Sequence, residues 1–137
     1  MTPTERRTQV IAHLLEEKVG WHSGEMETSQ CLAYNEKACH MDRAKNHKAH
    51  APAWLGPEFA KKDGVPTVVF QGTENIFIPM EHHEYGDEAT IGNPLLASVE
   101  KGEKIFEAAS DNLRDFINEV RKFPVEIKTR EYDFRAY

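Results

Sequence analysis

Between Asn93 and Pro124 the apolar residues Ile105, Phe106, Ala109, Leu113, Phe116, Ile117 and Val120 return at three- and four-residue steps. That spacing gathers them into one stripe of a helix. Asn93 is a good cap, Pro94 suits the first helical position, and Pro124 forces an end. The pattern therefore predicts a helix from Asn93 to about Lys122. Gly102 inside it costs about 1 kcal/mol relative to alanine, so it marks a close backbone contact or a boundary.

The other elements are weaker. Residues 3–19 read as a helix, with Thr2 as cap, Pro3 in the first turn, Glu5 at the positive end and Gly20 closing it. Its stripe is Val10, Ile11, Leu14, Leu15 and Val19. After a loop at Trp21–Gly24, a second helix is predicted from Gly24 or Glu25 to about Tyr34, burying Met26, Cys31, Leu32 and Ala33. Residues 35–64 read as a long surface excursion rich in lysine, including Lys61, with one short helix near Glu58–Lys62. Pro66–Gln71 has the β-branched character of a strand, closed by Gly72. Asn75–Pro79 is a further extended piece, and Glu81–Gly92 a polar loop. The tail, residues 125–137, carries Tyr132, Phe134 and Tyr137, and is expected to pack on this chain or on a neighbour.

Composition narrows the function. A chain of 137 residues is expected to form one domain with a core of its own. Net charge is −6, which disfavours tracking of nucleic-acid phosphates. The longest apolar run, Val65–Phe70, is far too short to span a membrane, and no secretory leader is evident. Cys31 and Cys39 lack metal or redox spacing and are expected to be reduced, buried thiols. The chain is expected to be cytoplasmic and soluble.

Two segments carry chemistry. His22-Ser23-Gly24-Glu25-Met26-Glu27-Thr28-Ser29 places an imidazole, a flexible joint, two carboxylates and two hydroxyls in one loop and the first turn of a helix. Such a set can hold a metal or move a proton, but it cannot by itself supply the three or more ligands of a hydrolytic metal site. Gly24 would let the backbone approach a ligand closely. Glu25 reads as a solvated carboxylate, and Thr28 and Ser29 as hydroxyls that satisfy backbone groups. Trp21 and Trp54 are candidate pocket walls. Glu81-His82-His83-Glu84-Tyr85-Gly86-Asp87 is a rival metal site, whose His82 and His83 are weaker metal candidates than Glu27. His40, His47 and His50 read as solvated.

Trp21–Ser29 resembles the His-Ala-Gly-x-x-Glu-Thr-Ser box of the creatininase (creatinine amidohydrolase) family, with Ser23 in place of alanine. Met41-Asp42-Arg43-Ala44 is similar to the family's Met-x-Arg-Ala element. Thr90–Gly102 resembles its Gly-Asp-Pro-x-x-Ala-x-x-Glu-Lys-Gly box, with Asn93 in place of aspartate. The resemblance covers roughly residues 8–122 and corresponds to the family's C-terminal half.

The resemblance implies an α/β fold, a layered sheet with flanking helices, as a half-domain over residues 1–124 completed by a partner chain. It implies a metal-dependent hydrolase that cleaves a C–N bond in a small cyclic amide or related compound. His22 would handle the proton. Glu27 would act with it, or ligate metal. Trp21, Ser23 and Gly24 would contact substrate. The implied cofactor is a divalent pair (zinc, manganese or iron), most of its ligands coming from a complementary chain with the N-terminal half, in a higher oligomer. The alternative is a non-catalytic partner that stabilises or regulates a creatininase-like enzyme.

Overall fold

The long helix forms, but later than its sequence pattern predicts. In the computed structural model, which describes residues 11–17 and 20–125 apart from the side chains of 74 and 75, Asn93 caps only a single 3-10 turn, Pro94–Leu96. Its side-chain oxygen accepts the Leu95 N–H at 3.2 Å. Ala97 and Ser98 then adopt extended backbone, and the α-helix proper starts behind a second cap. Ser98 Oγ accepts the Lys101 N–H at 3.2 Å. Two capping residues in series thus divide one predicted helix into a turn and a 22-residue helix, Val99–Val120.

The helix Glu25–Asn35 (α1) packs against Val99–Val120 (written α3 below), and this is the broadest contact between elements. The buried residues of α1 are Glu25, Ser29 and Leu32, at steps of four and three. The buried stripe is thus largely polar. Of the apolar residues expected there, Leu32 is buried as read, while Met26 and Cys31 are exposed and Ala33 is half-buried. The stripe is stable because its polar groups satisfy one another. Ser29 Oγ donates to the Glu25 carbonyl at 2.6 Å and accepts the Ser98 N–H at 3.2 Å. Buried hydroxyls tolerate such sites only when both roles are filled.

Gly102 is where the two helices touch. It is buried, and a Cβ built on it would overlap the Ser29 carbonyl. The close backbone contact read from sequence is therefore present. Gly102→Ala gains about 1 kcal/mol in helix propensity, yet must push α3 off α1, at roughly 1–3 kcal/mol for overpacking. The expected result is a net loss of stability, read as a lower denaturation midpoint. A stabilised variant would show that the two backbones are not this close.

Phe59–Ala60 (β1), Thr67–Phe70 (β2) and Thr73–Phe77 (β3) form an antiparallel sheet in that order. Gln71 and Gly72 both have positive φ, as a two-residue hairpin turn requires. The register slips by one residue between Val68 and Phe70. The Val68 side chain is fully buried, and the Phe59 and Phe70 rings stack at 4.7 Å. The strands touch chiefly one another. Mixed helix with a small antiparallel sheet is compatible with an α/β, creatininase-like fold. The short helix expected near Glu58–Lys62 is instead strand β1, because Phe59 and Ala60 pair with Phe70 and Val69.

Other differences are local. His82–Tyr85 (α2) forms a four-residue helix inside the expected loop, opened by a capping box between Glu81 and Glu84. The chain from Ile11 to Leu14 is helical, while residues 15–17 are not. The earlier part of that predicted helix (Thr2, Pro3, Glu5, Val10), its end at Val19, and the aromatic tail beyond Val125 lie outside the described residues. Both cysteines are free; Cys31 is exposed and Cys39 half-buried, so neither is the buried thiol expected.

Candidate active site

His22 is held by backbone pairing with the third sequence box. The Trp21 and His22 N–H groups both donate to the Ile91 carbonyl, at 2.8 and 3.1 Å, and the Ile91 N–H donates back to His22 at 2.8 Å. The next residue, Gly92, pairs in the same way with His47, at 3.0 and 2.7 Å. Ile91-Gly92 therefore lies between two chain segments and fixes both. Gly92 has φ +148, and a Cβ there would come within 2.7 Å of Gly24 Cα. Only glycine fits that crossing.

Beyond His22 the chain turns sharply. Ser23 has φ 52, an uncommon conformation for a non-glycine residue. Two bonds hold it there: its N–H donates to Glu27 Oε2 at 2.7 Å, and Thr28 Oγ1 donates to its carbonyl at 3.0 Å. Glu27 thus does two things. It accepts the Ser23 N–H just ahead of α1, and its charge lies at the positive end of that helix. It also lines the cavity that His22 lines.

That cavity has a volume of about 320 Å³ and is walled by His22, Ser23, Glu27, His82 and Ala89. The rings of His22 and His82 stand 5.2 Å apart, and His82 continues to Tyr85 at 5.3 Å. Lys61 Nζ lies 4.8 Å from the centre of the Tyr85 ring. Two segments read from sequence as rivals, the His22–Ser29 box and the Glu81–Asp87 cluster, therefore meet at one site through His82. Lys61 corrects the surface reading of its segment. It is buried and donates to the Val65 and Thr67 carbonyls. Burial pushes its pKa below the ordinary lysine value, and Asp63 opposes the shift.

The rest of the Glu81–Asp87 cluster does not converge. Glu84 accepts the Glu81 N–H at 2.7 Å and the Trp54 indole N–H at 2.8 Å. Those bonds, the backbone one first, lower its pKa. Asp87 Oδ1 lies 3.1 Å from His50 Nε2, and His82 Nε2 bonds the Glu88 carbonyl at 3.0 Å. His83 is exposed and does not line the His22 cavity. Two expected substrate contacts also stand elsewhere. Trp21 packs over Gly64, and Gly24 packs against Gly20, Gly92 and the Glu17 carboxylate. Trp54 is half-exposed and occupied by Glu84. Among the expected substrate-contact residues, only Ser23 borders the cavity.

The structure overturns the sequence reading of one carboxylate. Glu25 is not solvated: it is fully buried. Its Oε2 accepts the N–H groups of Glu16 and Glu17 at 2.8 and 2.6 Å, and its Oε1 meets Lys101 Nζ at 2.5 Å. Lys101 also donates to Glu16 at 2.8 Å and to the Leu96 carbonyl at 2.9 Å. Glu17 completes the knot by accepting from the N–H groups of Glu25, at 2.8 Å, and Asn93, at 2.6 Å. The knot joins the residues before His22, the start of α1 and the start of α3, and so sets the frame in which His22 and Glu27 stand.

Over residues 2–117 the chain matches the family model described as creatininase, creatinine amidohydrolase, and it belongs to that family. Membership points to a metal-dependent amidohydrolase. No curated protein and no solved structure matches it. The residues in hand do not by themselves fit a metal centre. Among the described residues, no three His, Cys, Asp or Glu side chains are placed to hold one ion, and a zinc-type site needs at least three. Glu27 and His82 each already bond a backbone group. Also among the described residues, no helix is long and apolar enough to cross a membrane.

Proposed function

We propose that this chain is one cytoplasmic subunit of a hydrolase that cleaves a C–N bond in a small cyclic amide or related compound. It corresponds to the C-terminal half of a creatininase-like fold. A complementary chain supplies most ligands of a divalent metal pair (zinc, manganese or iron). The observation that carries this reading is the wall shared by His22, Glu27 and His82 on one open cavity. On it, an imidazole and a carboxylate stand where a proton can be passed to or from a bound amide nitrogen. An imidazole exchanges protons readily near neutral pH. Glu27 orients the turn that presents Ser23.

Two features support a partner. Among the described residues the donors fall short of a metal site, as described above. The far half of α3 also carries its apolar stripe in the open: Leu113, Phe116, Ile117 and Val120 are exposed, as is Phe123 just beyond. An apolar face of this kind marks an interaction surface. Purification of the native protein tests the reading. The expected product is a stoichiometric heteromer in which metal analysis finds the ions and which hydrolyses a cyclic amide. A stable, metal-loaded, active monomer would overturn the partner requirement.

A further inference from the structure

The three segments that carry the family likeness meet around a second cavity, of about 610 Å³. Glu27 and Thr28 come from the first, Met41 and Arg43 from the second, Thr90 and Pro94 from the third. Such a volume suits a small organic ligand. Ser23 and Glu27 line this cavity as well as the one beside His22, so the two adjoin along that wall.

Arg43 stands out on this wall. Its backbone is fixed in the 3-10 turn Met41–Arg43, where its N–H donates to the His40 carbonyl at 3.0 Å and the Ala44 N–H to the Met41 carbonyl at 3.1 Å. Its guanidinium makes no hydrogen bond or ion pair among the described residues, while Lys101 and Arg114 are both engaged by carboxylates. A cavity-lining arginine whose guanidinium has no partner of its own offers a planar fork that binds a carboxylate through two parallel N–H bonds.

The geometry points to Arg43 as the anion-recognising residue of this cavity. Resting on the hydrolase reading above, it specifies the substrate class: a small cyclic amide that also bears a carboxylate. The carboxylate sits on Arg43. Like charge keeps it away from Glu27, so the amide end turns toward the Glu27 wall and the His22 cavity beyond. The chain carries a net charge of −6. A preference for an anion over its neutral analogue must then arise locally and not from the field of the whole molecule.

The test uses the full chain and two probes: 5-oxoproline, a cyclic amide with a carboxylate, and 2-pyrrolidinone, the same ring without it. Titrations are followed by amide NMR shifts at Thr28, Cys31 and Met41. The charged probe is expected to bind roughly tenfold more tightly, the size of one charge-assisted bond. Arg43→Ala should bring the two probes to near equality. Arg43→Lys, which keeps the charge without the fork, should retain part of the preference. Lys45→Ala, at a residue that pairs with Glu88 and does not line the cavity, should leave it whole. Equal binding of the two probes by the unaltered chain, or an undiminished preference in Arg43→Ala, overturns the assignment. His22→Ala should lower turnover of the assembled protein and keep the binding preference of the chain, so failure of the hydrolase reading and failure of this one are told apart.

Discussion

Glu25→Ala is expected to destabilise the chain by about 3 kcal/mol, near the lower end of the range for removing one partner of a buried ion pair. The lower end applies because Lys101 is not stranded: Glu16 and the Leu96 carbonyl still hold it. The larger share of the loss comes from the N–H groups of Glu16 and Glu17, which lose their common acceptor. Glu25→Gln keeps one acceptor oxygen and should lose less. Chemical denaturation of the three proteins at neutral pH gives the ranking directly. Equal midpoints for Glu25→Ala and the unaltered chain would show that the knot is not a structural frame.

The same knot makes a statement about pH. Lys101 is held above the ordinary lysine value of 10.5, first by its bond to Glu16 and then by its bond to Glu25. The folded chain thus grips this proton more tightly than the unfolded one. The corresponding stability is present in full below pH 10.5 and disappears as pH rises through the raised folded value. Glu25→Ala should therefore show a shallower alkaline decline than the unaltered chain.

How much of this was legible in the sequence depends on the range of the interaction. The family boxes, the long amphipathic helix and the strand ended by Gly72 rest on residues close together in the chain, or on motif spacing; a glycine inside a helix marks Gly102 as a contact or a boundary, but its partner Ser29 is remote. The position of Glu25 has no such local basis. Its partner Lys101 is 76 positions away, and a carboxylate one step into a helix looks like any dipole-compensating residue. The meeting of His22 with His82 is equally remote, and depends on the bridge to Ile91. Strand β1 is only two residues long and exists because β2 is there to pair with it. The four-residue helix at His82 was not legible either: Glu81 and Glu84 form its capping box, but glutamate is not a preferred N-cap residue. The spacing along α3 marks one apolar stripe but not what covers it, and only its first half finds a surface within the described residues. Gly102, Ile105 and Ala108 are buried, while Phe106 and Ala109 are not.

His22→Ala in the assembled protein should lower turnover by roughly 100- to 10,000-fold, the usual contribution of a positioned general acid or base, with assembly unchanged. Assembly should survive because His22 is tied to Ile91 through backbone groups alone, which alanine retains. Its ring is exposed and contributes little packing beyond the contact with His82. Added imidazole should restore part of the rate in His22→Ala, since a small base can enter the cavity the side chain vacates. A merely structural histidine would show no such rescue. The competing view, a non-catalytic partner that stabilises an active relative, makes the opposite forecast: His22→Ala leaves turnover where it was. Glu27→Gln sharpens the distinction. The glutamine oxygen can still accept the Ser23 N–H and hold the turn, so its stability should change little. A fall in rate with that variant would come from the missing charge at the cavity wall and not from a collapsed loop.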